Sequence, residues 1–244
     1  MAFGDFDHFT FALAGTSTAA LDVTTPIVGS GSLRYLNDTA TDNFSMNSNL
    51  DSGFNRGFTK GRIRTLVRFD GGWVDSGTSL DNMGVGIYYM SDNFDISNTT
   101  SDFYFAGLVR DRNTAGSVKP VIAKTSAARI LSDLDWEVTI TPGPDILFGT
   151  ASSITGVVDT DVIPIQIEWD LNISDLGGMR HTMSVGNIGD TVFTNLAVVY
   201  DVVESTNPFT VTVAEGIGFM ANSVAGPAAN ATATFDQTGT FRLV

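Results

Sequence analysis

Ile163–Leu171 reads IPIQIEWDL, and its alternation decides the fold. Ile163, Ile165, Ile167, Trp169 and Leu171 share one face of an extended segment, with Pro164, Gln166, Glu168 and Asp170 opposite. That is a β-strand with one side in an apolar core and the other in water. Gly177-Gly178 then turns the chain into Arg180–Val185 (RHTMSV). Similar segments recur upstream. Ile63–Phe69 (IRTLVRF) runs into Asp70-Gly71-Gly72 and Trp73, a tight hairpin signal because paired glycines accept positive φ. Val85–Met90 (VGIYYM) is short and aromatic. Phe103–Arg110 (FYFAGLVR) and Val118–Ala123 (VKPVIA) flank Asn113–Gly116 as a further hairpin, in which Pro120 requires an edge or a bulge.

Trp136–Ile140 (WEVTI) stops at Thr141-Pro142-Gly143-Pro144, and Leu196–Val203, Phe209–Val213 and Gly216–Val224 continue the series. Only Ser126–Leu134 has a helical pattern, one short turn at most. Neither a repeat nor a linker is visible. The expected architecture is all-β, a single antiparallel jelly-roll sandwich over residues 1–244. Its two ends, Phe3–Phe11 (FGDFDHFTF) and Ala233–Val244 (ATFDQTGTFRLV), both alternate and are expected to lie side by side and close it.

Composition narrows the function. The chain has no cysteine, which excludes disulfides and thiolate metal sites. Its net charge is −14, and after Ile130 only Arg180 and Arg242 among Lys and Arg oppose the acids. Such a surface repels phosphate backbones, so nucleic acid is not an expected partner. No stretch approaches the roughly 18 apolar residues of a membrane helix, and no export signal opens the chain.

Catalytic constellations are thin. His8 and His181 are the only histidines, too few for a zinc site, and neither stands in a Ser-His-Asp pattern. Glu168-Trp169-Asp170-Leu171-Asn172 approaches the paired carboxylates of a sandwich glucanase, yet Asn172 cannot protonate a leaving group. No catalytic residue and no bound organic cofactor are therefore expected. Hard oxygen ligands in loops suit calcium, and Asp92, Asn93 and Asp95 are the candidates. Trp73, Tyr88 and Tyr104 could serve as aromatic platforms for sugars. Arg62, Arg64 and Arg68, on the more basic half of the chain, could dock an acidic neighbour.

Three stretches carry a resemblance: Met1–Phe11 (MAFGDFDHFTF), Pro26–Leu36 (PIVGSGSLRYL) and Ala233–Val244. Together they resemble a concanavalin A-like, laminin-G-type jelly roll, with Gly216–Met220 (GIGFM) before the closing hairpin fitting the same pattern. The opening segment is also similar to that of tailed-bacteriophage virion proteins of this fold. That resemblance implies a non-enzymatic structural protein of the particle: a capsid decoration or cement, a head fibre, or a tail or baseplate part. Such a protein would assemble in the host cytoplasm and adhere to other virion proteins and to copies of itself. The alternative is a lectin-like, carbohydrate-binding module recognising host-surface glycans.

Overall fold

The structure is a computed structural model and describes residues 9–13, 18–37, 43–49, 59–71, 81–92, 102–110, 116–126, 145–148, 152–173, 178–205, 208–210, 214–223 and 231–243. These residues hold fifteen strands: β1 (Phe9–Leu13), β2 (Thr18–Asp22), β3 (Ser32–Asn37), β4 (Asn43–Asn49), β5 (Lys60–Gly71), β6 (Asp81–Ser91), β7 (Asp102–Arg110), β8 (Ser117–Ser126), β9 (Asp145–Phe148), β10 (Ile154–Thr155), β11 (Val162–Ile173), β12 (Gly178–Val185), β13 (Ala197–Glu204), β14 (Ala214–Ser223) and β15 (Ala231–Arg242). No helix occurs among the described residues.

Every pairing is antiparallel, in two sheets. One runs β1-β4-β14-β6-β7-β8-β10, with β9 also on β8; the other runs β13-β12-β11-β5-β15-β3-β2. The all-β sandwich expected from the sequence is what forms. β11 behaves as its alternation requires, with Ile163, Ile165, Ile167 and Trp169 buried between the sheets. They pack with Val85, Ile87, Tyr89, Tyr104, Leu108 and Ile122 of the facing sheet. Gly61 lies opposite Trp169 in the β5–β11 register. A Cβ there would fall 2.2 Å from the indole Cζ2, so the ring fits only because this residue is glycine.

β6 and β7 do not alternate between core and solvent. Residues 84–91 and 103–110 are buried on both faces, which suits a continuous apolar run such as FYFAGLV. Tyr89 and Tyr104 point into the core cluster, while the alternate positions Tyr88 and Phe105 are buried on the far side. Gly86 and Gly107 pair directly. The Phe105 ring lies over both, 2.7 and 2.5 Å from where their Cβ atoms would sit.

Three topological expectations need correction. Asp70-Gly71-Gly72 does not turn β5 back on itself, because β5 pairs with β11 and β15 while β6 belongs to the other sheet. Among the described residues the first and last strands are not neighbours: β1 pairs with β4, whereas β15 lies between β5 and β3 in the opposite sheet. Alternation fixes which face a residue takes and says nothing of which sheet receives the strand. Phe209 and Thr210, read as the start of a strand, lie outside any strand. The hairpin of β7 and β8 forms as expected. Pro120 falls between the β8 residues that pair with β10 (Ser117, Val118) and with β9 (Ile122–Lys124), a gap along that edge of β8 that suits a residue without an N–H. Trp136–Ile140 and the helix-like Ser126–Leu134, apart from Ser126 itself, lie outside the described residues.

The closing segment FDQTGTF anchors the N-terminal part of the chain. Phe235 packs edge-on against Tyr35, with ring centroids 5.6 Å apart. Asp236 is fully buried. It accepts from Val28 N at 2.9 Å, Ser32 Oγ at 2.6 Å and Gln237 N at 2.6 Å. Gln237 has a φ of 48°, and the register shifts between Asp236 and Gly239. This is a bulge that aims the carboxylate at residues more than two hundred positions away in sequence.

Candidate functional site

The outward side chains of the seven-stranded sheet form ordered cross-strand rows. In register, Phe241 (β15) lies beside Arg62 (β5), Arg62 beside Glu168 (β11), Glu168 beside Thr182 (β12) and Thr182 beside Asp201 (β13). The adjacent row is Lys60, Asp170 and Arg180. Period-two alternation on each strand puts all of these on one face.

Their charges pair across the strands. Lys60 Nζ is 3.3 Å from Asp170 Oδ2, and Arg62 Nη1 is 3.5 Å from Glu168 Oε1. Arg180 grips Asp201 with two bonds, Nε to Oδ1 at 2.6 Å and Nη2 to Oδ2 at 2.5 Å, and Thr182 Oγ1 donates to Asp201 Oδ1 at 3.3 Å. These bonds, those from Arg180 first, hold the Asp201 carboxyl below its usual range. Gln166 Nε2 donates to Glu168 Oε1 at 3.2 Å. Lys60, Glu168, Trp169, Asp170, Arg180, Thr182, Asp201 and Leu243 line an open cleft of about 270 Å3 on this face.

Arg64 differs from its neighbours. Its guanidinium lies over Phe193 at 4.5 Å and Phe241 at 5.0 Å, and Arg62 lies over Phe241 at 5.0 Å as well. Its register partners are Gln166 and Gly239, neither of them charged. Burial and the adjacent Arg62 depress its pKa.

A second polar cluster lies between the sheets. Tyr89 Oη is 2.8 Å from His181 Nδ1, Tyr104 Oη donates to Glu204 Oε2 at 2.5 Å, and Lys124 Nζ is 3.0 Å from Glu204 Oε1. His181 Nε2 approaches the same carboxylate at 3.5 Å. Tyr89 stacks on Trp169 and on Tyr104. Burial raises the pKa of both tyrosines well above the ordinary value. Burial would also raise the Glu204 carboxyl, but the bonds from His181, Tyr104 and Lys124 outweigh it and the pKa falls. His181, Tyr89 and Tyr104 are sealed from solvent. The cluster has acid–base groups and no room for a polymer, so it fastens the two sheets together.

The sequence-predicted residues are distributed as follows. Arg62 and Arg64 stand on the outer face, whereas Arg68 is committed to Asp70, Asp22 and the Thr25 carbonyl. Tyr88 and Tyr104 are fully buried and offer no sugar platform; Trp73 lies outside the described residues. Of the calcium candidates, Asp92 Oδ1 accepts from Asp102 N at 3.0 Å as a turn cap. Asn93 and Asp95 lie outside the described residues, among which no group of three metal-ligating side chains occurs. Lys60, Thr182, Arg180 and Asp201 were not expected in a site. The alternation of RHTMSV shows that Arg180 and Thr182 face outward together, but their meeting with Asp201 depends on a register no single strand reveals.

No protein-family model matches the chain, and no curated protein matches it. Solved structures do. The endo-β-1,4-glucuronan lyase of the fungus Trichoderma reesei aligns with a TM-score of 0.56 at 11% identity, over 99% of this chain and 94% of that one. The PL-14 alginate lyase of Aplysia kurodai aligns at 0.55 and 8%, over 98% and 92%. The exoplasmic/lumenal domain of VIP36, in a form with Ca2+ and Man3GlcNAc bound, aligns at 0.53 and 12%, over 99% and 86%. The chain thus has the concanavalin A-like β-sandwich fold shared by lectin domains and polysaccharide lyases. The expectation of a non-enzymatic protein is overturned, because the same sandwich carries lyases among these structures. The expected link to phage particles gains no support from them.

Proposed function

We propose that the chain is a carbohydrate-binding protein whose glycan lies along the outer face of the seven-stranded sheet. The observation that carries this reading is the open cleft bounded by Lys60, Asp170, Arg180, Thr182 and Asp201. Its acids are already matched by bases, so the surface offers many fixed hydrogen-bonding groups with little net charge. Sugar hydroxyls donate and accept at once, and a fixed lattice of carboxylate acceptors and cationic donors satisfies both roles. The shared fold with a glycan-bound lectin domain and with two polysaccharide lyases supports the same reading.

A glycan array probed with the full chain in calcium-containing buffer tests it. Binding to at least one glycan family is expected. Asp201→Asn, which loosens the Arg180 grip, should weaken that binding about tenfold, as loss of a charge-assisted bond does. A blank array overturns the proposal.

A further inference from the structure

Along β5, β11, β12 and β13, the described residues of the outer face include one cation more than they have acids within ion-pair distance. Lys60 pairs with Asp170, Arg62 with Glu168 and Arg180 with Asp201. Arg64 has no carboxylate, and no hydrogen bond, among the described residues; its contacts are the rings of Phe193 and Phe241. The chain carries a net charge of −14, yet among the described residues no acid pairs with Arg64. The two rings hold the guanidinium in one orientation, and the side chain is only partly buried. The Nε atoms of both Arg64 and Arg62 are buried with no acceptor. Arg62 and Arg64 are two residues apart on β5 and share its outer face, so a second positive charge stands beside the first. The face therefore presents an oriented, unneutralised guanidinium next to a cleft of neutralised ion pairs.

We propose that Arg64, backed by Arg62 and clamped by Phe193 and Phe241, is an anion subsite, and that the polysaccharide bound on this face carries carboxylate or sulfate groups. The inference rests on the carbohydrate reading above and specifies the class of glycan. A planar guanidinium matches a carboxylate or sulfate through paired N–H donors, and a ring-held one loses little freedom on binding. Burial first, and then the adjacent Arg62, depress the Arg64 pKa, and an arriving anion offsets both by stabilising the charged form.

Isothermal titration calorimetry on the full chain tests it with three probes: cello-oligosaccharides, oligoglucuronate and sulfated carrageenan oligosaccharides. An acidic probe should bind more tightly than the neutral one, and added salt should erode that margin. Arg64→Gln should weaken the acidic probe about ten- to a hundredfold and leave the neutral one unchanged. Arg64→Met keeps an apolar stem between the rings and repeats the comparison should the glutamine variant fold poorly. The uronate and sulfate arms separate the two sources of the anion. Equal affinity for neutral and acidic probes, or indifference of the acidic probe to both variants, overturns this inference and leaves the carbohydrate reading intact. Failure of both acidic probes to bind overturns this inference, and a blank glycan array overturns the carbohydrate reading with it.

Discussion

Replacing Glu204 by glutamine isolates what the polar bridge between the sheets contributes. In the wild type the carboxylate accepts from Tyr104 Oη at 2.5 Å and pairs with Lys124 Nζ at 3.0 Å, with His181 Nε2 at 3.5 Å. The amide keeps an acceptor for Tyr104 and loses the charge that holds Lys124. Removing one partner of a fully buried pair costs about 3–5 kcal/mol. Lys124 retains 18% side-chain exposure and can rehydrate, so the loss should be smaller. Hydrogen bonds to charged groups contribute about 1.5–3 kcal/mol, which is the expected deficit. For a chain of this length each kcal/mol moves Tm by about 2–4 °C, so the variant should melt about 3–12 °C lower near neutral pH.

The same bridge sets a pH signature. The Glu204 carboxyl has a folded-state pKa below its unfolded one; burial alone would raise it, and the contacts from His181, Tyr104 and Lys124 prevail. Its stabilisation is therefore complete above the unfolded carboxylate pKa of about 4.3 and is lost as pH falls through the folded value. The gap in Tm between wild type and Glu204→Gln should be full near neutrality and narrow progressively as pH falls below the unfolded carboxylate pKa. Scanning calorimetry of both proteins across that range is the assay. A gap under about 1 °C at neutral pH, or one that persists unchanged in acid, refutes the reasoning.

Two further substitutions probe other parts of the fold. Gly61→Ala places a methyl 2.2 Å from the Trp169 ring, so it should cost about 1–3 kcal/mol by urea denaturation and shift the tryptophan emission; an unchanged midpoint would show that the ring has room to move. Asp236→Asn turns an acceptor of three hydrogen bonds into a group with one acceptor oxygen, so it should cost about 1–3 kcal/mol and speed proteolysis within Thr24–Gly31; unaltered cleavage there would count against Asp236 as the anchor.

How much was legible in the sequence differs by level. IPIQIEWDL declared its buried face because side-chain direction in a strand is local, and RHTMSV did the same. The FYFAGLV run carries a signal that the choice of Tyr104 as a sugar platform overlooked: its lack of alternation fits burial on both faces, and Tyr104 is fully buried. Strand order was not legible. Asp70-Gly71-Gly72 has the chemistry of a tight hairpin, but the partners of β5 lie far downstream, on β11 and β15. The outer-face site was hidden for the same reason: Lys60 and Asp170, or Arg180 and Asp201, meet only through pairing register. Arg64 was visible as a charge; that it lacks an acid among the described residues emerges only when its neighbours on β5 have been matched.

The doubly covered strands β6 and β7 have a consequence for divergence. A residue enclosed on every side can change only together with what encloses it, so Gly86, Phe105 and Gly107 form a block with almost no independent latitude. On the proposed reading, change in ligand preference falls to the outward positions of β5, β11, β12 and β13. A saturation library should divide along that line: near-silence across one sheet, and broad tolerance with altered selectivity across the other.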